Sequence, residues 1–117
     1  MGVTISDLTK KGILGYSTCL SATESAENIA SGVMKPSEIM SECIVNIERC
    51  ELDVGAWSFM NKDRALREAT ELDKIKPEGP LFGIPFGVKD NIDTHDMPTG
   101  HGTSIYEGEQ PSRDAAC

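Results

Sequence analysis

The chain has 117 residues, of which 38% are hydrophobic, 5% aromatic and 26% charged, and its formal net charge is −8. That length is the size of one domain; the apolar content is lean for a self-sufficient core, and the composition is not that of a disordered chain. An acidic surface repels nucleic-acid phosphates and anionic lipid, and the basic residues form no patch, so neither nucleic acid nor membrane is an expected partner.

Residues 1–20 read as an N-terminal extension. They hold no apolar signal core, and no run in the chain approaches the ~18 apolar residues of a membrane span. Met1-Gly2 with Ser6 fits the short myristoylation pattern, which is discounted for its brevity. Ser21-Ala22-Thr23-Glu24 reads as a capping box, in which hydroxyl and carboxylate each satisfy one free amide at a helix start. The helix it opens is predicted over about Ala22 to Ala30, stopping near Gly32. Pro36 suits the first turn of a second helix, whose stripe is Ile39, Met40, Cys43, Ile44, Ile47 and Cys50, with Glu38, Glu42 and Glu48 off it.

Cys43 and Cys50 lie on one face of that helix but roughly 10 Å apart along its axis, too far for a disulfide. With Cys19 and Cys117 they make four cysteines without a CxxC pair or a histidine cluster. Reduced thiols in a cytoplasmic protein are the expectation, and no metal site is expected, since zinc takes about four ligands.

Gly55-Ala56-Trp57-Ser58-Phe59 reads as a short extended piece with Trp57 as a packing anchor. A third helix is predicted from near Asn61 to Ile75, with Ala65, Leu66, Ala69, Leu72 and Ile75 as its stripe and Arg64 and Glu68 four apart on its surface. Lys76 to Pro80 is a turn. Ile84-Pro85-Phe86-Gly87-Val88-Lys89 then reads as a strand, with Ile84, Phe86 and Val88 on one face and Pro85, Gly87 and Lys89 on the other; Pro85 suits its first residue or an edge. From Asp93 to Arg113 no period survives. A loop that long is uncommon in a compact domain and tends to be functional or incomplete. Asp114 is then a candidate N-cap before Ala115 and Ala116, announcing a helix with no residues left to form it. The expectation is a chain that stops inside a larger fold.

Lys89 is the candidate catalytic residue. Its bland alternative is a surface lysine at a strand end. The apolar strand before it suggests burial, Gly87 leaves room for another backbone to approach closely, and an irregular loop follows, where functional residues concentrate. A desolvated lysine favours its neutral form, and a neutral amine can take a proton from a hydroxyl nucleophile. Asp90 opposes that shift if its carboxylate lies near the amine.

Other candidates are weaker. Thr99-Gly100-His101-Gly102-Thr103-Ser104 lacks the lysine of a phosphate loop. His95 and His101 each stand alone and read as loop histidines, although both can titrate near neutrality. Asp90 and Asp93 can be paired as acid and base, or can hold the loop by hydrogen bonds. Nothing in the spacing requires Ser104 to form a dyad with Lys89.

The run Gly79-Pro80-Leu81-Phe82-Gly83-Ile84-Pro85-Phe86-Gly87-Val88-Lys89-Asp90-Asn91-Ile92-Asp93-Thr94 resembles the lysine-containing segment of the amidase signature family. The similarity continues through Met97-Pro98-Thr99, Gly102-Thr103-Ser104, Pro111 and Asp114-Ala115, and upstream through the helices, so that it covers about Leu20 to Cys117 and roughly the first quarter of a family enzyme. It implies an α/β fold, of which this chain holds the N-terminal helices and first strands in truncated form: a helical region over 21–75, and a lysine-bearing strand and long loop over 76–117. It implies hydrolysis of carbon–nitrogen amide bonds in a small-molecule amide, without metal or organic cofactor, by a serine–serine–lysine triad. Lys89 matches the lysine that deprotonates a bridging serine in a cis peptide linkage; that serine activates the nucleophilic one. Both serines belong to a downstream Gly/Ser-rich signature that is not in this sequence, and Ser104 and Ser112 do not match it. The chain is therefore expected to be inactive alone, with the serines carried further along or by a complementing polypeptide. The alternative is a non-catalytic acidic interaction module that docks on a partner protein through an unpaired strand edge.

Overall fold

The computed structural model describes residues 20–116; the expectations for the N-terminal extension, Cys19 and Cys117 lie outside the described residues. Among the described residues three α-helices follow in order: α1 (Ala22–Ala30), α2 (Pro36–Val54) and α3 (Lys62–Leu72). A single turn of 3₁₀ helix, Ser104–Tyr106, comes later. None of the described helices is long and apolar enough to cross a membrane. The described residues divide into two compact units. One contains 20–53 and 62–85, the other 54–61 and 86–116.

The helical unit starts where its capping signals stand. Glu24 N–H donates to Ser21 Oγ at 3.2 Å, and Ser21 N–H donates to Glu24 Oε2 at 2.8 Å; the reciprocal pair satisfies two donors that a helix start leaves free. At the other end of α1, the Ser31 hydroxyl turns back to the Glu27 carbonyl at 2.8 Å. Helix α2 opens on Pro36, where the missing N–H costs nothing, and Glu38 Oε2 accepts the Lys35 N–H at 2.8 Å. Asp73, just past α3, supplies the rest. Its carboxylate accepts the Ser37 N–H at 3.0 Å and the Ser37 hydroxyl at 2.6 Å, placing a negative charge against the positive end of α2. Burial works to raise the Asp73 pKa, but the two Ser37 hydrogen bonds, helped by Lys35 and Lys74, bring it below its ordinary value.

The helical stripes carry the core. Ile29 and Ile39 are 4% exposed and Ala69 6%, and the rest of the α2 stripe (Met40, Cys43, Ile44, Ile47, Cys50) is half-buried while Glu38, Glu42 and Glu48 are exposed. On α3, Ala65, Ala69 and Leu72 turn inward, but Leu66 and Ile75 are exposed; α3 also ends three residues short of the expected Ile75. Arg64 Nε and Glu68 Oε1 pair at 2.7 Å on its surface. Cys43 and Cys50 form no disulfide among the described residues. Gly83 belongs to the same unit. It has φ +71°, and a Cβ there would stand 2.6 Å from Pro36 Cγ and 3.2 Å from Ile29 Cδ1. Only glycine combines that backbone with that contact.

The α/β expectation needs correction for these residues: no strand forms among the described residues. The segment 84–89 has no hydrogen-bonded strand partner. Turn bonds bracket it instead, from Ile84 N–H to Leu81 O at 3.2 Å and from Ile92 N–H to Lys89 O at 2.9 Å. A ladder requires a neighbour for every second amide, and alternation of apolar side chains does not supply one. The predicted burial of one face fails accordingly, for Phe86 is 84% exposed. The piece at 55–59 is likewise irregular, and no helix follows Asp114 among the described residues.

Candidate functional site

Lys89 lies in the loop-built unit, and its side chain is exposed; the water-poor setting expected from the apolar run is not present around it among the described residues. Its backbone is nevertheless held on both sides. Two residues before it, Gly87 sits under the Trp57 ring, where a Cβ would come within 3.0 Å of Cη2. The approach expected at Gly87 is that of another backbone; an indole side chain stands there instead. Trp57 is still 41% exposed.

On the other side of Lys89, Asp90 is the centre of the loop. Its Oδ1 accepts the Gly100 N–H at 2.8 Å and its Oδ2 the Gly102 N–H at 3.1 Å. The Asp90 carbonyl accepts the His101 N–H at 3.0 Å. The bond from Gly100, then that from Gly102, hold the Asp90 carboxyl below its ordinary pKa, because amide donors favour the ionised form. Of the two alternatives for Asp90, the loop-holding one matches the geometry. Its carboxylate forms no ion pair with Lys89 among the described residues, so the question of which way it points is answered: toward the loop amides.

A second carboxylate closes the far end of the loop. Asp114 Oδ1 lies 2.8 Å from both the His95 backbone nitrogen and Nδ1, and the first of these, then the second, lower its pKa. Asp114 therefore ties back to His95 rather than capping a helix. Ala115 N–H donates to the Asp93 carbonyl at 2.9 Å and Gln110 Nε2 to the His95 carbonyl at 2.8 Å. His101, at φ 53°, sets its ring edge-on to Tyr106 with centroids 5.2 Å apart. Its Nε2 is 3.6 Å from Asp93 Oδ1, an ion pair only when the ring is protonated. Both histidines are exposed loop residues.

A cleft of about 450 Å³ opens over this frame, with Ser58, Phe59, Asp90, Pro98, Thr103 and Ser104 among its walls. Ser104 begins the 3₁₀ turn and makes no hydrogen bond with Lys89, so no dyad forms between them. Among the described residues one group has donors spaced for a metal ion: His95, Asp96 and Asp114, with ligand atoms within 4.8 Å of one another. Two of the three are exposed, and the Asp114 oxygen already faces two nitrogens of His95. Sequence reasoning missed Gly100 and Gly102 as partners of Asp90 and Asp114 as a partner of His95. These pairings join residues far apart in the chain and leave no periodic signal.

The family model described as Amidase matches residues 38–117. The chain is 37% identical over 90 residues to a glutamyl-tRNA(Gln) amidotransferase subunit of Macrococcus caseolyticus, covering 77% of this chain and 19% of that protein. With the protein of the same name from Lysinibacillus sphaericus it shares 38% over 97 residues, 81% of this chain and 20% of the relative. The chloroplastic/mitochondrial counterpart in Oryza sativa subsp. indica is 37% identical over 95 residues, 76% and 18% of the two chains. This chain thus spans about a fifth of the length of the curated relatives it matches. No solved structure matches it. The family match takes in most of the chain, including all of the Lys89 segment: the chain belongs to the amidase family.

Proposed function

We propose that this chain supplies the lysine-bearing N-terminal part of an amidase, and that Lys89 is the general base of a serine–serine–lysine triad whose two serines lie outside these 117 residues. The observation that carries this is the family match over residues 38–117, which encloses the run from Gly79 to Thr94 that ends its apolar stretch in Lys89. Polypeptide carrying the serines, further along the same chain or in a second one, covers the exposed amine. The desolvation that follows favours the neutral amine. The amine takes the proton of the bridging serine, which takes that of the nucleophilic serine. The serine oxygen adds to the amide carbonyl of a small substrate, the carbon–nitrogen bond breaks as the nitrogen is protonated and leaves, and water then releases the acyl group.

The relatives are named as amidotransferases and as subunits, which supports cleavage of an amide and a polypeptide partner for this chain. Their names also include a tRNA. A segment with net charge −8 has no attraction for phosphate, so its share is assigned to the amide-cleaving chemistry, in the cytoplasm. The interaction-module alternative rests on a strand edge, and no strand forms among the described residues; no observation favours it.

The test is turnover of simple amides by the purified 117-residue chain and by the complete amidase that contains it, each beside its Lys89→Ala variant. The isolated chain is expected to show no lysine-dependent turnover, and the complete enzyme to lose its activity with the lysine. Lysine-dependent hydrolysis by the chain alone contradicts the proposal.

A further inference from the structure

We propose that Asp90 is a positioning residue, whose hydrogen bonds to Gly100 and Gly102 fix the backbone from which the Lys89 amine projects. The inference rests on Lys89 being the base. A lysine side chain has four rotatable carbons and, when exposed, no fixed direction of its own; the accuracy of its reach starts with its backbone. Here that backbone is anchored at three successive places. Gly87 lies against the Trp57 ring, the Lys89 carbonyl accepts the Ile92 N–H at 2.9 Å, and the Asp90 carbonyl accepts the His101 N–H at 3.0 Å. The Asp90 carboxylate then grips the loop with both oxygens, at 2.8 Å from Gly100 N and 3.1 Å from Gly102 N.

The same grip has an electrostatic consequence. A carboxylate next to a lysine in sequence ordinarily invites an ion pair, and a paired ammonium resists giving up its proton. Both Asp90 oxygens are committed to amides, and no Lys89–Asp90 pair forms among the described residues. The residue that could hold the amine in its charged form is turned to holding the loop instead.

The experiment uses the complete amidase, with Asp90→Asn and Lys89→Ala made separately. Asparagine keeps the shape of aspartate but replaces one acceptor oxygen with a donor facing an N–H, so one of the two loop bonds is lost. A misplacement of about 1 Å at a reacting group costs about 100-fold; Asp90→Asn is expected to lower kcat by that order with KM within about twofold. The glycine-labelled enzyme should show the Gly100 and Gly102 amide resonances shifted, while its melting profile stays single and cooperative. Wild-type kcat in Asp90→Asn beside an inactive Lys89→Ala overturns the positioning role and leaves the base assignment standing. Loss of kcat only in proportion to the unfolded fraction also overturns it, since the role is then structural. Wild-type kcat in Lys89→Ala overturns the base assignment, and the inference with it.

Discussion

In the helical unit, Ile29, Ile39 and Ala69 are buried along stripes of helical period. In the loop-built unit the buried residue is a threonine, Thr99, whose N–H donates to the Glu109 carbonyl at 2.9 Å. The first unit is held by apolar contact reinforced at helix ends. The second is held at points, by Asp90 on Gly100 and Gly102 and by Asp114 on His95. Apolar burial is cumulative and non-directional, so its loss is spread over many neighbours. A loop pinned by two carboxylates depends on a few directional bonds and on those carboxylates staying ionised. The unit that holds Lys89, the proposed base, is the one with the directional bonds, which suits a side chain to be aimed rather than merely buried.

The contrast can be broken first on its apolar side. Gly83→Ala sets a methyl 2.6 Å from the Pro36 ring at φ +71°. The left-handed backbone and the overpacking together are expected to cost about 2–4 kcal/mol, read as a lower denaturant midpoint for the helical unit. An unchanged midpoint means that the Pro36 contact is not made. Asp73→Ala should cost less, about 1 kcal/mol, by freeing the Ser37 amide at the start of α2; hydrogen exchange at Ser37 checks it. Smaller still, and confined to acid, is the response of the loop-built unit. The folded pKa of Asp90 is lowered from an ordinary 3.8, and that of Asp114 is lowered likewise. A carboxylate whose pKa is lowered on folding contributes its stabilisation in full above the unfolded value and loses it as pH falls through the folded one. The Gly100, Gly102 and His95 amide resonances should therefore hold steady from neutrality down to about pH 5 and move below the ordinary carboxylate range. Movement of those amides near pH 6 instead assigns the clamp to the histidines.

The helical half of this molecule was legible in the sequence because its signals are local. Ser21 and Glu24 stand three apart, Pro36 marks its own helix start, and the stripe from Ile39 to Cys50 repeats at a fixed interval. The loop half was legible only in part. Asp90 could be named as a loop anchor, but its partners lie ten and twelve residues away, and Asp114 reaches back nineteen. Such pairings follow from tertiary closure, which no period encodes. Ile84 to Lys89 reads as a strand because apolar alternation is also what an unpaired extended segment shows. Alternation specifies which face is apolar, and only a second strand makes it a sheet.

The central proposal is that the amine at position 89 takes the proton of a bridging serine, which in turn takes that of the attacking hydroxyl. Single-turnover acylation of the complete amidase by an amide substrate, followed for the wild type and for Lys89→Ala across pH, addresses it most directly. The account predicts a loss of about 10²- to 10⁴-fold in the acylation rate, together with disappearance of the limb of the pH profile that reports the base. Acylation by Lys89→Ala at the wild-type rate, with the profile unchanged, would contradict it.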